Sequence, residues 1–252
     1  MFNVNKKRFL LLAILLVSIL TAQAQQRRVQ YKPYIDLRPM HFGIVIGTNF
    51  QDIEFENVGP QVLVDEEGNV SEHLIMADAD KWNPGFSVGV LAELRLHDNI
   101  ALRFSPTMHF GAKHLSILNM TDIDEEGRPR KVTQDLKNTY VGLPLNVKFS
   151  APRFNNYRPF IAAGISGMIN LTGAGEDYVS LKRFSSMVEV GIGCDFYLPF
   201  FKLIPELKFC YGLGNSLDTN HVNELRDTNK RAYAGGVSSS QSKMIMLSFY
   251  FE

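Results

Sequence analysis

The chain has 252 residues, with 26 Lys plus Arg against 26 Asp plus Glu and a formal net charge of zero. That balance points away from nucleic acid as a partner, and two cysteines exclude a disulfide framework. The length suits one domain, and beyond Leu20 no apolar run is long enough for a spanning helix.

The N-terminus has the layout of a secretory signal. Lys6-Lys7-Arg8 is a basic start, Phe9 to Leu20 an apolar run, and Ala22-Gln23-Ala24 a small-x-small cleavage signature. Cleavage after Ala24 takes three cations with it, so the mature net charge falls to −3. The organisation expected is a signal peptide over 1–24, an extended periplasmic lead-in over 25–40 and a barrel over 41–252. The lead-in is polar and basic, with Arg27, Arg28, Lys32 and Arg38 beside Pro33 and Pro39.

From His41 a period of two sets in, the signature of a strand with two unlike faces. Phe42, Ile44 and Ile46 alternate with Gly43, Val45 and Gly47. A polar stretch over 51–83 follows, with a small hairpin from Val62 to Val70 turning at Glu67-Gly68-Asn69. The second strand spans Gly85 to Leu96, the turn His97-Asp98-Asn99 follows, and the third spans Ile100 to Phe110, with an extension through Leu115 to Leu118. After a polar loop over 111–138 the fourth spans Tyr140 to Ser150 and the fifth Pro159 to Leu171. The sixth spans Ser185 to Leu198, the seventh Leu203 to Leu213, and the eighth ends the chain from Lys243 to Glu252. In that last strand Ile245, Leu247, Phe249 and Phe251 share one parity.

Connections alternate between long (51–83, 111–138, 172–184, 214–241) and short (97–99, 151–158, 199–202), the rhythm of an outer-membrane barrel. The expected fold is all-β, an eight-stranded antiparallel up-and-down transmembrane barrel with both termini periplasmic. A terminal strand that pairs with the first removes the free edge. The apolar parity then meets lipid. The other parity carries Glu93, Arg95, Arg103, Lys148, Glu189, Asp195, Glu206 and Lys208 into a packed, ion-paired lumen. The alternative is a soluble, lipocalin-like barrel with the faces exchanged. Parity puts Cys194 outward and Cys210 inward, so they cannot pair. Pro106, Pro144 and Pro205 fall inside strands, where each removes a ladder donor, and bulges there, or strand ends that come sooner, are expected.

Motifs for chemistry are sparse. Gly85-Phe86-Ser87-Val88-Gly89 matches G-x-S-x-G, but unbroken strand alternation runs through it where a nucleophile elbow needs a helix. His109 and Ser105 share the face of Ser87. Asp122 to Gly127 resembles the start of a calcium loop, but Thr133 stands where its closing glutamate belongs, so a hairpin tip is expected. The six histidines show no ligand spacing. No catalytic residue, cofactor, metal or small-molecule substrate is expected.

With the strands placed, Tyr140-Val-Gly-Leu-Pro-Leu-Asn-Val-Lys-Phe149 and Arg158-Pro-Phe-Ile-Ala-Ala-Gly164 resemble the paired middle strands of small outer-membrane barrels. Asp36-Leu-Arg-Pro-Met-His-Phe-Gly-Ile-Val-Ile-Gly47 is similar to the barrel entry of the PorT family. Glu252 after Phe251 is a departure, since many barrels end on the aromatic itself. The resemblance implies an accessory or assembly role in type IX protein secretion, which also serves gliding in some relatives. Its expected partners are outer-membrane lipid and other secretion components. It offers no catalytic residues to carry over. Two other readings stay open: a structural or adhesive barrel, and a lipid-modifying enzyme of the outer membrane.

Overall fold

A strand whose two faces differ must keep one register, because a slip by one residue would exchange them. The computed structural model describes residues 29–64, 70–123, 126–172, 178–219, 221 and 228–252. The expected signal peptide and the turn at Glu67-Gly68-Asn69 lie outside the described residues. A short 3-10 turn at Ile35–Leu37 precedes β1 (Met40–Asn57), β2 (Gly59–Val64), β3 (Val70–Lys81), β4 (Asn83–Arg95), β5 (Ile100–Phe104) and β6 (Thr107–Ile123). Then come β7 (Pro129–Ser150), β8 (Tyr157–Asn170), β9 (Phe184–Tyr197), β10 (Lys202–Leu213), a helix α1 (Thr228–Gly235) and β11 (Val237–Phe251).

The ring closes. β1 pairs antiparallel with β4, β4 with β5 and β6, and both of these with β7. From β7 each strand pairs with the next through β8, β9, β10 and β11, and β11 returns to β1. β5 and β6 form one stave, since their registers to β4 and to β7 match on both sides of Ser105-Pro106. Eight staves therefore make the barrel. One circuit runs Phe42, Ala92, Phe104, Leu145, Ile165, Val188, Tyr211, Lys243 and back to β1 at Asp52, ten residues further along. That shear on eight staves tilts the strands by roughly 40–45° to the axis.

Pro106 falls where one strand ends and the next begins, but Pro144 and Pro205 bring neither a bulge nor a strand end. Pro144 and Pro205 sit inside β7 and β10, Pro106 interrupts β5 and β6, and the registers run unshifted past all three. Proline costs one ladder donor but keeps an acceptor, and Pro106 still accepts from Val90 N at 3.1 Å. The register shifts lie elsewhere, at Glu56/Asn57, Asp78/Lys81 and Asn119/Ile123, towards the end of the barrel remote from the C-terminus.

Two of the expected long loops, 51–83 and 111–138, are largely strand. β1 runs on to Asn57, β6 and β7 form a long hairpin across the polar stretch, and β3, with β2 beside it, joins the outer part of β6. The cause is a change of sign along each strand. On β1 the outward residues pass from Phe42, Ile44, Ile46 and Phe50 to Asp52, Glu54 and Glu56, while the inward ones pass from Asn49 and Gln51 to Ile53 and Phe55. On β7 the outward run from Phe149 to Val141 gives way to Thr139 and Lys137. The molecule thus has an apolar belt around a polar lumen near the C-terminal end. Beyond it, a polar exterior surrounds an apolar core of Ile53, Ile75, Leu115, Ile117, Leu136, Val179, Leu217 and Val237. Tyr178 and Tyr233 meet edge-on at its side, 5.9 Å between ring centres. Exposure follows the expected parity within the belt: Val90, Leu145 and Phe209 are half exposed, while Glu93, Lys148 and Glu206 are buried.

Candidate functional site

Three tiers of polar side chains fill the lumen. At the C-terminal end Glu252 closes the ring. Its backbone exchanges hydrogen bonds with Lys202 at 2.8 and 3.0 Å, and its carboxylate takes Lys202 Nζ at 2.5 Å and the ring of His41. Beside it the lead-in is tied down by Asp36, which accepts from Tyr197 Oη at 2.8 Å with Arg153 and Arg158 at 3.8 and 3.9 Å. Arg153 stacks on the Tyr197 ring at 3.5 Å. The lead-in was expected to be extended; instead the 3-10 turn presents Asp36 to the barrel mouth.

The middle tier is built on Arg103, which has no exposed surface. Its Nε and Nη2 donate to Glu93 at 3.0 and 2.9 Å, and its Nη1 donates to Glu206 at 2.7 Å. Glu93 is on the adjoining stave, but Glu206 stands four staves away, directly across the ring. The guanidinium lies between the Phe160 and Tyr250 rings at 5.0 and 4.9 Å, a cation–π sandwich that supports the charge where water is absent. Lys148 donates to both oxygens of Asp195 at 2.9 Å and approaches Glu93 at 3.5 Å. Lys208 pairs with Glu189 at 3.0 Å, and Asn146 donates to Glu189 at 3.2 Å. Seven of the eight ions expected inside are therefore buried and joined. The eighth, Arg95, is at the rim, paired with Asp98 of the turn and donating to Leu37 O at 3.3 Å. It comes one step after Glu93 on the inward parity, where β4 ends and solvent begins.

The upper tier is neutral except for Lys113. Ser87 Oγ lies 2.9 Å from His109 Nδ1 and accepts from Asn49 Nδ2 at 2.8 Å. All three are buried, and the amide of Asn49 contacts the serine, whereas in a hydrolase triad the third group is a carboxylate that orients the histidine. Lys113 donates to Ser242 at 2.9 Å and Tyr140 at 3.4 Å. Lys113, Lys202, His41 and Glu252 escaped the sequence reading. Lys113 shares the parity of Arg103 and His109, and the extension of the third strand through Leu115 to Leu118 passes over it, so giving that extension the parity of the strand finds it. Cys194 faces out, Cys210 faces in among Met244 and Met246, and both are free thiols. Of the calcium-like stretch, Asp124 and Glu125 lie outside the described residues, and the pairing Ile123↔Pro129 makes it the tip of the β6–β7 hairpin.

Inward glycines make room for these crossings. A Cβ on Gly193 would stand 2.4 Å from Phe160 Cζ and 2.6 Å from Pro205 O, whereas one on outward Gly167 would meet nothing within 4 Å. Gly193→Ala is therefore expected to cost about 1–3 kcal/mol through overpacking. Gly167→Ala should stay near neutral in the same urea titration of the folded barrel.

The family described as outer membrane protein beta-barrel domain matches residues 22–218, more than half of the chain. Among solved structures, the chain is similar to the outer membrane protein OprG from Pseudomonas aeruginosa, with 11% identity, 89% of this chain and 98% of that chain covered, and a TM-score of 0.44. It is similar to Neisserial surface protein A, with 11% identity, 84% and 98% covered, and a TM-score of 0.38. It is similar also to the outer membrane protease OmpT from Escherichia coli, with 11% identity, 89% and 98% covered, and a TM-score of 0.40. No curated protein matches the sequence. With a closed ring of eight staves, an apolar belt and that family match over most of its length, the chain belongs to the outer membrane protein beta-barrel domain family, and its place is the outer membrane.

Proposed function

We propose that the barrel is an accessory component of type IX protein secretion of the PorT kind, non-catalytic and acting through protein partners at its two ends. The observation that supports this reading best is the tie from Arg103 to Glu206 across the full width of the ring, buried at both ends. A lumen crossed in this way has no room for cargo, so a role in export must be exercised from the surfaces. The entry segment Asp36 to Gly47 supplies the likeness to the family. In this reading the signal peptide is removed after Ala24 and both termini, with the short turns, are periplasmic. The basic lead-in and the long extension are then the docking surfaces.

Deletion of the gene tests it. Loss of surface-exported cargo with an intact envelope is the expected result, restored by the intact protein supplied in trans. Normal export would remove the secretion role and leave a structural or adhesive barrel, a reading favoured by the separate apolar core beyond the belt. The Ser87–His109 contact gives the enzyme reading its one foothold. An outer-membrane lipid profile altered by Ser87→Ala or His109→Ala would revive it.

A further inference from the structure

We infer that the upper lumen holds a binding site for a soft monovalent metal ion of the copper(I) or silver(I) kind, anchored by Cys210 and Met246. Met168, Met187, Met244, Met246 and Cys210 pack with Tyr140 as one buried cluster. Four successive staves, β8 to β11, supply the sulfurs. These are all the buried methionines among the described residues, since Met40, Met76, Met108 and Met120 are exposed. Filling gaps is the ordinary use of a thioether. The apolar core beyond this tier, however, is packed with isoleucine, leucine, valine and alanine and holds no sulfur among the described residues. Apolar packing in this barrel therefore does not call for sulfur, and buried sulfur is confined to one tier.

Cys210 Sγ lies 4.0 Å from Met246 Sδ. An ion about 2.3 Å from each sulfur, a usual metal–sulfur distance, would join them at an angle of roughly 120°. His109 is a second, independent sign of a ligand. It is 4% exposed, its Nδ1 lies 2.9 Å from Ser87 Oγ, and its Nε2 has no hydrogen-bond partner among the described residues. A Cβ on Gly142 would stand 2.9 Å from that Nε2 and 3.2 Å from Met168 Sδ, so imidazole and thioether border one space that a glycine leaves open. A ligating histidine has its other ring nitrogen fixed by a hydrogen bond, and here Ser87, itself held by Asn49, fixes Nδ1. Thiolate and thioether donors select copper(I)-like ions over hard cations. Charge decides against a divalent ion. As the metal–sulfur bond forms, the Cys210 thiol releases its proton to solvent, and a monovalent ion replaces it with no change of charge in the lumen. A divalent ion would bury one charge more. The inference rests on the lumen alone and holds or fails apart from the secretion role.

The ring closes around the site, so the ion is offered while the full chain refolds from urea into detergent micelles. The probe is silver(I) in chloride-free buffer, which needs no reductant. After gel filtration with free methionine as competitor, mass spectrometry of the folded barrel should find one silver ion per chain. Cys210→Ser should abolish retention. Met246→Leu, close in volume, should weaken it by about tenfold or more, as the loss of a metal partner does. Cys194→Ser, which removes the outward thiol, should leave it unchanged, and an equal concentration of zinc(II) should not displace the silver. Heat-modifiable migration on a gel checks that each variant has folded, and if Cys210→Ser does not fold, Met246→Leu decides alone. No silver on the unsubstituted barrel overturns the proposal. So does retention that survives Cys210→Ser, is untouched by Met246→Leu or vanishes with Cys194→Ser, because the buried sulfurs would then serve packing only. Displacement by zinc(II) overturns it too.

Discussion

Arg103→Met should cost the barrel about 3–5 kcal/mol of folding stability, because it leaves two buried carboxylates without their shared cation. Glu93 keeps Lys148 at 3.5 Å, but Glu206 loses the one hydrogen-bonded partner of its carboxylate among the described residues. The Phe160 and Tyr250 rings, which now sandwich a guanidinium, would flank only the end of a shorter thioether, so a packing loss adds to the charge effect. The double variant Arg103→Met with Glu206→Gln removes the stranded charge and should recover most of the loss. Arg103→Lys should fall between, since an ammonium cannot form the fork that serves two walls at once. The single tryptophan, Trp82, gives a fluorescence signal for urea titrations in lipid vesicles. A cost below about 1 kcal/mol for the single variant would mean that the lumen behaves like exposed surface, where ion pairs contribute little.

What the sequence made legible, and what it hid, follows from hydropathy contrast. Between Ile161 and Leu171 each outward residue is apolar or glycine, and the inward series Ala162, Gly164, Ser166 is small, so the strand is plain. Beyond the belt the contrast weakens or reverses. In β7, Val132, Gln134, Leu136 and Asn138 mix on one face while Lys131, Thr133, Asp135 and Lys137 occupy the other, and the stretch reads as loop. Water outside and an apolar core inside still enforce the alternation, but no run of greasy positions announces it. The lumen ions were readable because parity alone assigns a side. Their partners were not: Arg103 and Glu206 are 103 residues apart and meet through the closure of the ring. Glu252 looked like a departure from an aromatic terminus, yet its carboxylate is what holds Lys202 and His41. A chain end shows no periodicity beyond itself, so its role had to wait for the register.

The belt should also announce its depth. Leu145 is the midpoint of the outward run Val141, Leu143, Leu145, Val147 and Phe149, between Phe104 and Ile165 on the neighbouring staves, and is 46% exposed. Leu145→Arg is expected to destabilise the barrel by about 2–4 kcal/mol when folded into a lipid bilayer, the cost of a cation at the midplane. Thr139→Arg, on the same stave and the same face but past the last apolar residue, should cost about 0–1 kcal/mol, as at an interface. The two positions share strand, parity and neighbouring staves, so the difference isolates the surrounding medium. In detergent micelles, which deform around a charge more readily than a bilayer, the gap should narrow. Equal costs at both positions in vesicles would mean that the greasy wall meets something other than acyl chains. The outward valines, leucines and phenylalanines would then have to be explained by a protein sleeve, and the outward passage from Phe50 to Asp52 on β1 would no longer mark where hydrocarbon ends.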